Sequence, residues 1–154
     1  MIVLNYKDGD AMDWETEMLI SGKMYKRLYE RHLEELKQKY DLKRIDLDIL
    51  YFLCRFRDKN TPKEITDLNQ YTKGHVSQSL DRLTRKGLVE TSPDKTDRRC
   101  LRIFPRESAE AVYEELQLVR EKMFEIMFRG IVPEEMKEFN HIAKRIYNNM
   151  YDEF

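Results

Sequence analysis

Apolar and polar positions alternate at helical spacing along most of the chain. Between Met12 and Tyr40, Met18, Tyr25, Leu28, His32, Leu36 and Tyr40 recur three, four or seven residues apart with charges between them. That spacing predicts one long helix with a single packing stripe. Ile45, Ile49, Phe52, Leu53 and Phe56 form the stripe of a second helix, which "DKN" ends. "TPKEITDL" then starts a third. Thr61 is placed to cap it, Pro62 takes the first turn, and Glu64 can close a capping box. Ile65 and Leu68 are its packing residues, and "NQY" is a tight connection. A fourth helix runs from Thr72 as N-cap to Lys86, with Gly87 as its stop.

The remainder changes period. "LVETS" and "RCLRIF" read as two short strands around the polar tip "PDKTDR". Leu101 and Ile103 are expected toward the core, with Cys100, Arg102 and Phe104 on the other side. Glu107 to Arg129 returns to helical spacing through Val112, Leu116, Val119, Met123, Ile126 and Met127. "GIVP" ends that helix. Pro133 opens a last one carrying Met136, Phe139, Ile142, Ala143, Ile146 and Met150. The fold class is therefore mainly α with a small β-hairpin. The short helix, three-residue turn and following helix have the spacing of a helix-turn-helix.

The fourth helix raises the functional question. Its only apolar residues are Val76, Leu80 and Leu83, so one face packs and the other is short, polar and basic. Thr72, Lys73, His75, Ser77, Gln78 and Arg82 lie on turns that avoid those three. Such a helix suits the major groove of DNA, where Gln78 can pair with adenine and Lys73 or Arg82 with guanine or phosphate. Lys95, Arg98 and Arg99 on the hairpin can enter a minor groove. Asp94 and Asp97 are expected to orient neighbouring arginines. Gly74 costs the helix roughly 1 kcal/mol relative to Ala, and reads either as room for close backbone approach to DNA or as a loosely wound first turn.

Charge sharpens this reading. The net charge is −1. Yet residues 72–106 carry nine Lys or Arg against four Asp or Glu, a net +5, while residues 107–154 are −5. A basic segment within an acidic protein can bind a polyanion through one face.

At 154 residues, 37% charged and 41% apolar, the chain is long enough for a folded core. No apolar run is long enough to span a membrane, and no signal peptide is evident, which gives a cytoplasmic reading. Two cysteines are too few for a disulfide framework. Cys54 reads as core, whereas Cys100 beside Arg99 and Arg102 has the setting that favours thiolate. His32, His75 and His141 are scattered without ligand-spaced partners, so neither a metal nor a cofactor is expected. There is no Gly-rich phosphate loop and no nucleophile–base pairing, and the chain does not read as an enzyme. Trp14, Tyr25, Phe124 and Phe128 read as core or dimer contacts.

"TPKEITDLNQY" followed by "TKGHVSQSLDRLTRKGLVETSPDKTDRRCLRI" resembles the core of the multiple-antibiotic-resistance regulator (MarR) family. The likeness covers helix, strand, wing and strand in order, and the flanking long helices fit as well. Thr96 departs from the family pattern, which often has Arg there. The resemblance implies a winged helix-turn-helix domain over residues 41–105, and a helical dimerisation domain from residues 1–40 with 106–154. It implies a homodimer on pseudo-palindromic double-stranded DNA, usually a repressor released by a small ligand. A small aromatic or anionic effector is the expected kind. The alternative is a winged helix used only for protein contacts, which would not need basic residues on both helix and wing.

Overall fold

The computed structural model describes residues 14–69, 71–95 and 97–153, and their side chains except at 14–20, 68 and 69. Met12 and Thr96, and the side chains of Trp14, Met18 and Leu68, lie outside the described residues. The elements are α1 (Trp14–Tyr40), α2 (Arg44–Arg55), α3 (Pro62–Asn69), α4 (Lys73–Arg85), β1 (Val89–Pro93), β2 (Leu101–Pro105), α5 (Ser108–Met127) and α6 (Pro133–Tyr151). β1 and β2 form an antiparallel pair in which Thr91 faces Ile103 and Pro93 faces Leu101. The chain divides into two compact units, Met1–Arg120 and Glu121–Phe154.

In the first unit, α2 is the centre, packed by α1, α3, α4 and β2. This explains why the single-stripe reading of α2 falls short. Leu47 and Leu50 are fully buried along with Ile49 and Leu53, because a helix covered on several sides needs apolar residues beyond one face. Phe56 is 43% exposed, since it is the C-cap and has left the helical phase; it still lies against Phe52, ring centroids 5.3 Å apart. On α1 the buried face is Tyr29, Leu33 and Leu36, while Tyr25 is exposed and stacks on Tyr29. Tyr40 and Lys39 both donate to the Glu115 carboxylate at 2.6 Å, tying α1 to α5.

The capping box of α3 forms as its residue types dictate. Thr61 N–H donates to Glu64 at 3.0 Å, and Glu64 N–H donates to Thr61 Oγ1 at 3.3 Å. Thr61→Ala is expected to lower stability by about 1 kcal/mol, measured as a shift in urea midpoint with unchanged slope. Gly87 ends α4 in the left-handed region at φ 70°, with its N–H on Thr84 and Leu88 N–H on Leu83. This closure is the one a helix C-terminus favours with glycine.

Ile103 is buried as expected, but Leu101 on the same side of β2 is 47% exposed. It sits two residues nearer the hairpin tip, opposite Pro93, beyond the part of the strand pair that the core covers. Instead it lines an open groove of ≈ 960 Å³ between α3, α4 and the hairpin.

In the second unit, Phe124, Phe128 and Phe139 form an aromatic chain with centroid separations of 4.6 and 5.7 Å. Gly130 turns the chain at φ 83°, and Glu135 accepts from Val132 N–H at the start of α6. None of the residues of α6 is buried. Phe139, Ile142, Ile146 and Met150, read from the sequence as packing residues, are all exposed in the single chain.

Candidate nucleic-acid interface

Residues 61–105 bring the candidate groups together through two pieces, the α3–α4 pair and the hairpin. Thr72 stands in extended conformation before α4, and its Oγ1 accepts His75 N–H at 3.3 Å. That cap fixes the first turn. Val76, Leu80 and Leu83 point into the core. Thr72, Lys73, His75, Ser77 and Gln78 are exposed, as is Gly74, which has nothing within 4 Å of where a Cβ would stand.

Arg82 departs from the expected role. Its Nε lies 3.2 and 3.1 Å from the two Asp46 carboxylate oxygens, and its Nη2 lies 2.7 Å from Oδ1. The paired carboxylate holds the guanidinium in its charged form, moving its pKa up. The side chain is turned inward, because Asp46 is fully buried on α2 and needs a cation. Nε and Nη2 are therefore committed within the protein rather than offered to guanine or phosphate. Ser79, a polar residue of the same helix, is also fully buried and donates to Asp46 at 2.5 Å.

At the hairpin tip, Lys95, Arg98 and Arg99 are exposed, and none makes an ion pair among the described residues. Of the two aspartates, Asp94 does orient an arginine, Arg102, and Asp97 does not. Asp94 accepts Arg102 Nε at 2.6 Å and the Asp97 N–H at 3.0 Å. Asp97 accepts the backbone N–H of Arg99 at 3.0 Å, so it shapes the turn rather than orienting a guanidinium. The brace continues inward. Arg102 Nη1 donates to Asn60 Oδ1 at 2.9 Å, and Ile103 N–H donates to the Asn60 carbonyl at 2.8 Å. Asn60 is buried, so it anchors the hairpin to the segment just before α3.

A second polar cluster lies behind the start of α4. Tyr71, immediately before the cap, donates to Asp48 at 2.7 Å, and Arg44 Nε is 3.4 Å from the same carboxylate. Tyr29 of α1 donates to Asp48 at 3.4 Å and accepts from Arg120 Nη1 at 3.5 Å. Burial, with the Asp48 charge adding, pushes the Tyr29 phenol up to about 12; burial and the Asp48 hydrogen bond raise Tyr71. Both hydroxyls therefore stay protonated and act as donors.

This geometry pairs a capped, polar-faced second helix with a basic two-stranded wing. Residues 40–99 match the MarR family. The HTH-type transcriptional repressor IacR of Pseudomonas putida is 23% identical over 126 residues, spanning 79% of this chain and 72% of that protein. A MarR protein from Peptoclostridium difficile is similar in structure at TM-score 0.76 and 19% identity, covering 94% of this chain and 96% of its own. The S. aureus MepR–DNA complex gives 0.73 at 19% identity, covering 90% and 99%. These structural likenesses show the fold.

Within the matched segment, the residues that sequence reasoning missed are Asp46, Ser79, Asn60, Asp48 and Tyr71. For Ser79 a signal existed. Positions 76, 79, 80 and 83 share one helical face, so Ser79 stood among the packing residues. Asp46 at the third position of α2 is readable as a capping acid, and Lys43 N–H does donate to it at 2.8 Å. Its link to α4, more than thirty residues away, has no local signature. Burial pushes the Cys54 thiol up to about 11, and Cys100 Sγ lies 3.9 Å from the Leu101 carbonyl. Among the described residues no cluster could hold a metal ion, and no helix is long and apolar enough to cross a membrane.

Proposed function

We propose that this protein is a sequence-specific, DNA-binding transcription regulator of the MarR kind that acts as a homodimer. The observation that carries this reading is the joint exposure of Thr72, Lys73, His75, Ser77 and Gln78 on α4 with Lys95, Arg98 and Arg99 on the wing. The α4 groups are short enough to reach base edges, and the wing groups are charged enough to hold the backbone. The MepR match is to a DNA complex, which supports the same use here. Residues 41–105 serve as the reading domain. Residues 1–40 and 106–154 serve the dimer, since α6 leaves Phe139, Ile142, Ile146 and Met150 without cover in one copy.

A dimer reads two half-sites about one helical turn, ~34 Å, apart. Repression is the expected outcome, as in the IacR relative, with release by a small aromatic or anionic effector. The surroundings of Arg120 suit such a ligand: its guanidinium lies 3.9 Å from the Tyr51 ring centroid, and Tyr113 is 5.5 Å from Tyr51. The protein acts in the cytoplasm and uses neither cofactor nor metal.

Two measurements test the reading. Selection from a random duplex pool should enrich an inverted repeat with half-sites one turn apart. Sedimentation at micromolar concentration should give twice the chain mass of 18.8 kDa. A pool that never converges would favour a winged helix that contacts proteins instead, and a stable monomer would remove the two-half-site mechanism.

A further inference from the structure

The Asp46 carboxylate is the feature that operator reading does not yet use. It lies at 0% exposure, yet receives hydrogen bonds from two different elements. Lys43 N–H reaches it from the start of α2, while the Ser79 hydroxyl and the Arg82 guanidinium reach it from the middle and last turn of α4. We infer that Asp46, through Ser79 and Arg82, is a positioning residue that fixes the rotation of α4 about its own axis and so sets which base edges Gln78, Ser77 and His75 can reach.

The physical need is clear. Val76, Leu80 and Leu83 hold α4 by apolar packing, which is non-directional. A helix held only in that way can roll. A roll of about 20° moves the helix surface, ~5–6 Å from the axis, by about 2 Å. That displacement is larger than the tolerance of a hydrogen bond to a base edge. Three directional bonds to one immobile carboxylate remove the freedom. Arg82 supplies a planar fork and Ser79 a short donor on the same face, three residues apart. Positioning also accounts for an arginine on a reading helix that faces inward. The inference rests on the DNA-reading function proposed above, and the test separates the two.

The duplex enriched by the wild-type protein is compared with a scrambled duplex of equal length, using Ser79→Ala, Arg82→Gln and Asp46→Asn, each first checked by circular dichroism and thermal melting. Asp46 and Ser79 are buried and cannot touch DNA. The expected result is that all three lose operator affinity by about tenfold or more while scrambled-duplex affinity and salt slope stay near wild type. The Ser79→Ala/Arg82→Gln double variant should lose less than the product of the two single losses, because both act through one carboxylate. If Asp46→Asn does not fold, Ser79→Ala and Arg82→Gln carry the test, since each leaves the carboxylate at least one α4 donor. An Arg82→Gln variant that weakens both duplexes and lowers the salt slope would make Arg82 a phosphate contact and overturn the inference. So would a loss confined to one base position, or unchanged operator preference in folded variants. A wild-type protein that enriches no duplex overturns the DNA-reading function itself, and the positioning role with it.

Discussion

Placing glutamate at both Ile142 and Ile146 is expected to convert the proposed dimer to monomers and weaken operator binding by roughly 10²–10⁴-fold, the range lost when two linked binding events become one. The two isoleucines lie one turn apart on α6 and are each 46% exposed in the single chain. Phe139 and Met150 continue the same face at helical spacing. A helix with one apolar face and no buried residue gains most of its stability from a partner surface. Two carboxylates on that face would have to be desolvated without a cation, a cost that exceeds what neighbouring apolar contacts return. Sedimentation and gel shift on the selected duplex read the result. A variant that stays dimeric and binds as wild type would show that α6 does not form the interface. A monomer that still binds at full affinity would show that one half-site suffices.

Replacing both Arg98 and Arg99 by alanine is expected to weaken binding to selected and scrambled duplexes alike. The two residues sit in the exposed turn before β2, and Asp97 is occupied with the Arg99 backbone N–H. Their charges are thus free to meet phosphate or a narrow minor groove. Each phosphate neutralised contributes about 0.9 to the slope of log affinity against log salt, so a dimer losing four contacts should flatten by about 3–4. The preference between the two duplexes should change little, because phosphates carry no sequence. Titrations at several salt concentrations measure both quantities. Unchanged affinity and slope would remove the wing from the interface.

How much of this could be read from sequence depended on the range of the interaction. Thr61, Pro62 and Glu64 announce the start of α3 because a capping box is made by residues three apart. Gly87 likewise marks the end of α4, since the chain needs a left-handed residue there. The polar face at Thr72, Lys73, His75, Ser77 and Gln78 was legible because three apolar residues fix the phase of a short helix. The inward turn of Arg82 was hidden for a related reason. Helical spacing places it at the border of the packed face, and only the distant Asp46 decides that it turns inward. Asn60 looked like a helix breaker, and nothing nearby shows that its side chain receives Arg102 across forty-two residues. Leu101 obeyed strand alternation, yet alternation assigns a side and says nothing about whether anything covers that side. Leu47 and Leu50 were hidden by the opposite problem, because a central helix is apolar on more than one face.

The groups that seat α4 and the groups that face outward are different residues. Val76, Ser79, Leu80, Arg82 and Leu83 hold it in place, while Lys73, His75, Ser77 and Gln78 are exposed and lie outside the Asp46 network. Exposed substitutions away from caps and buried networks usually change stability by no more than about 0.5 kcal/mol. The outward set can therefore diverge by ordinary point mutation without first acquiring compensating changes, whereas a change at Asp46 or Arg82 disturbs the bonds the other makes. Under this division, duplicated copies of the gene are free to drift toward new operators while retaining the same scaffold. A combinatorial library at positions 73, 75, 77 and 78 samples that route directly, and most of its members should fold.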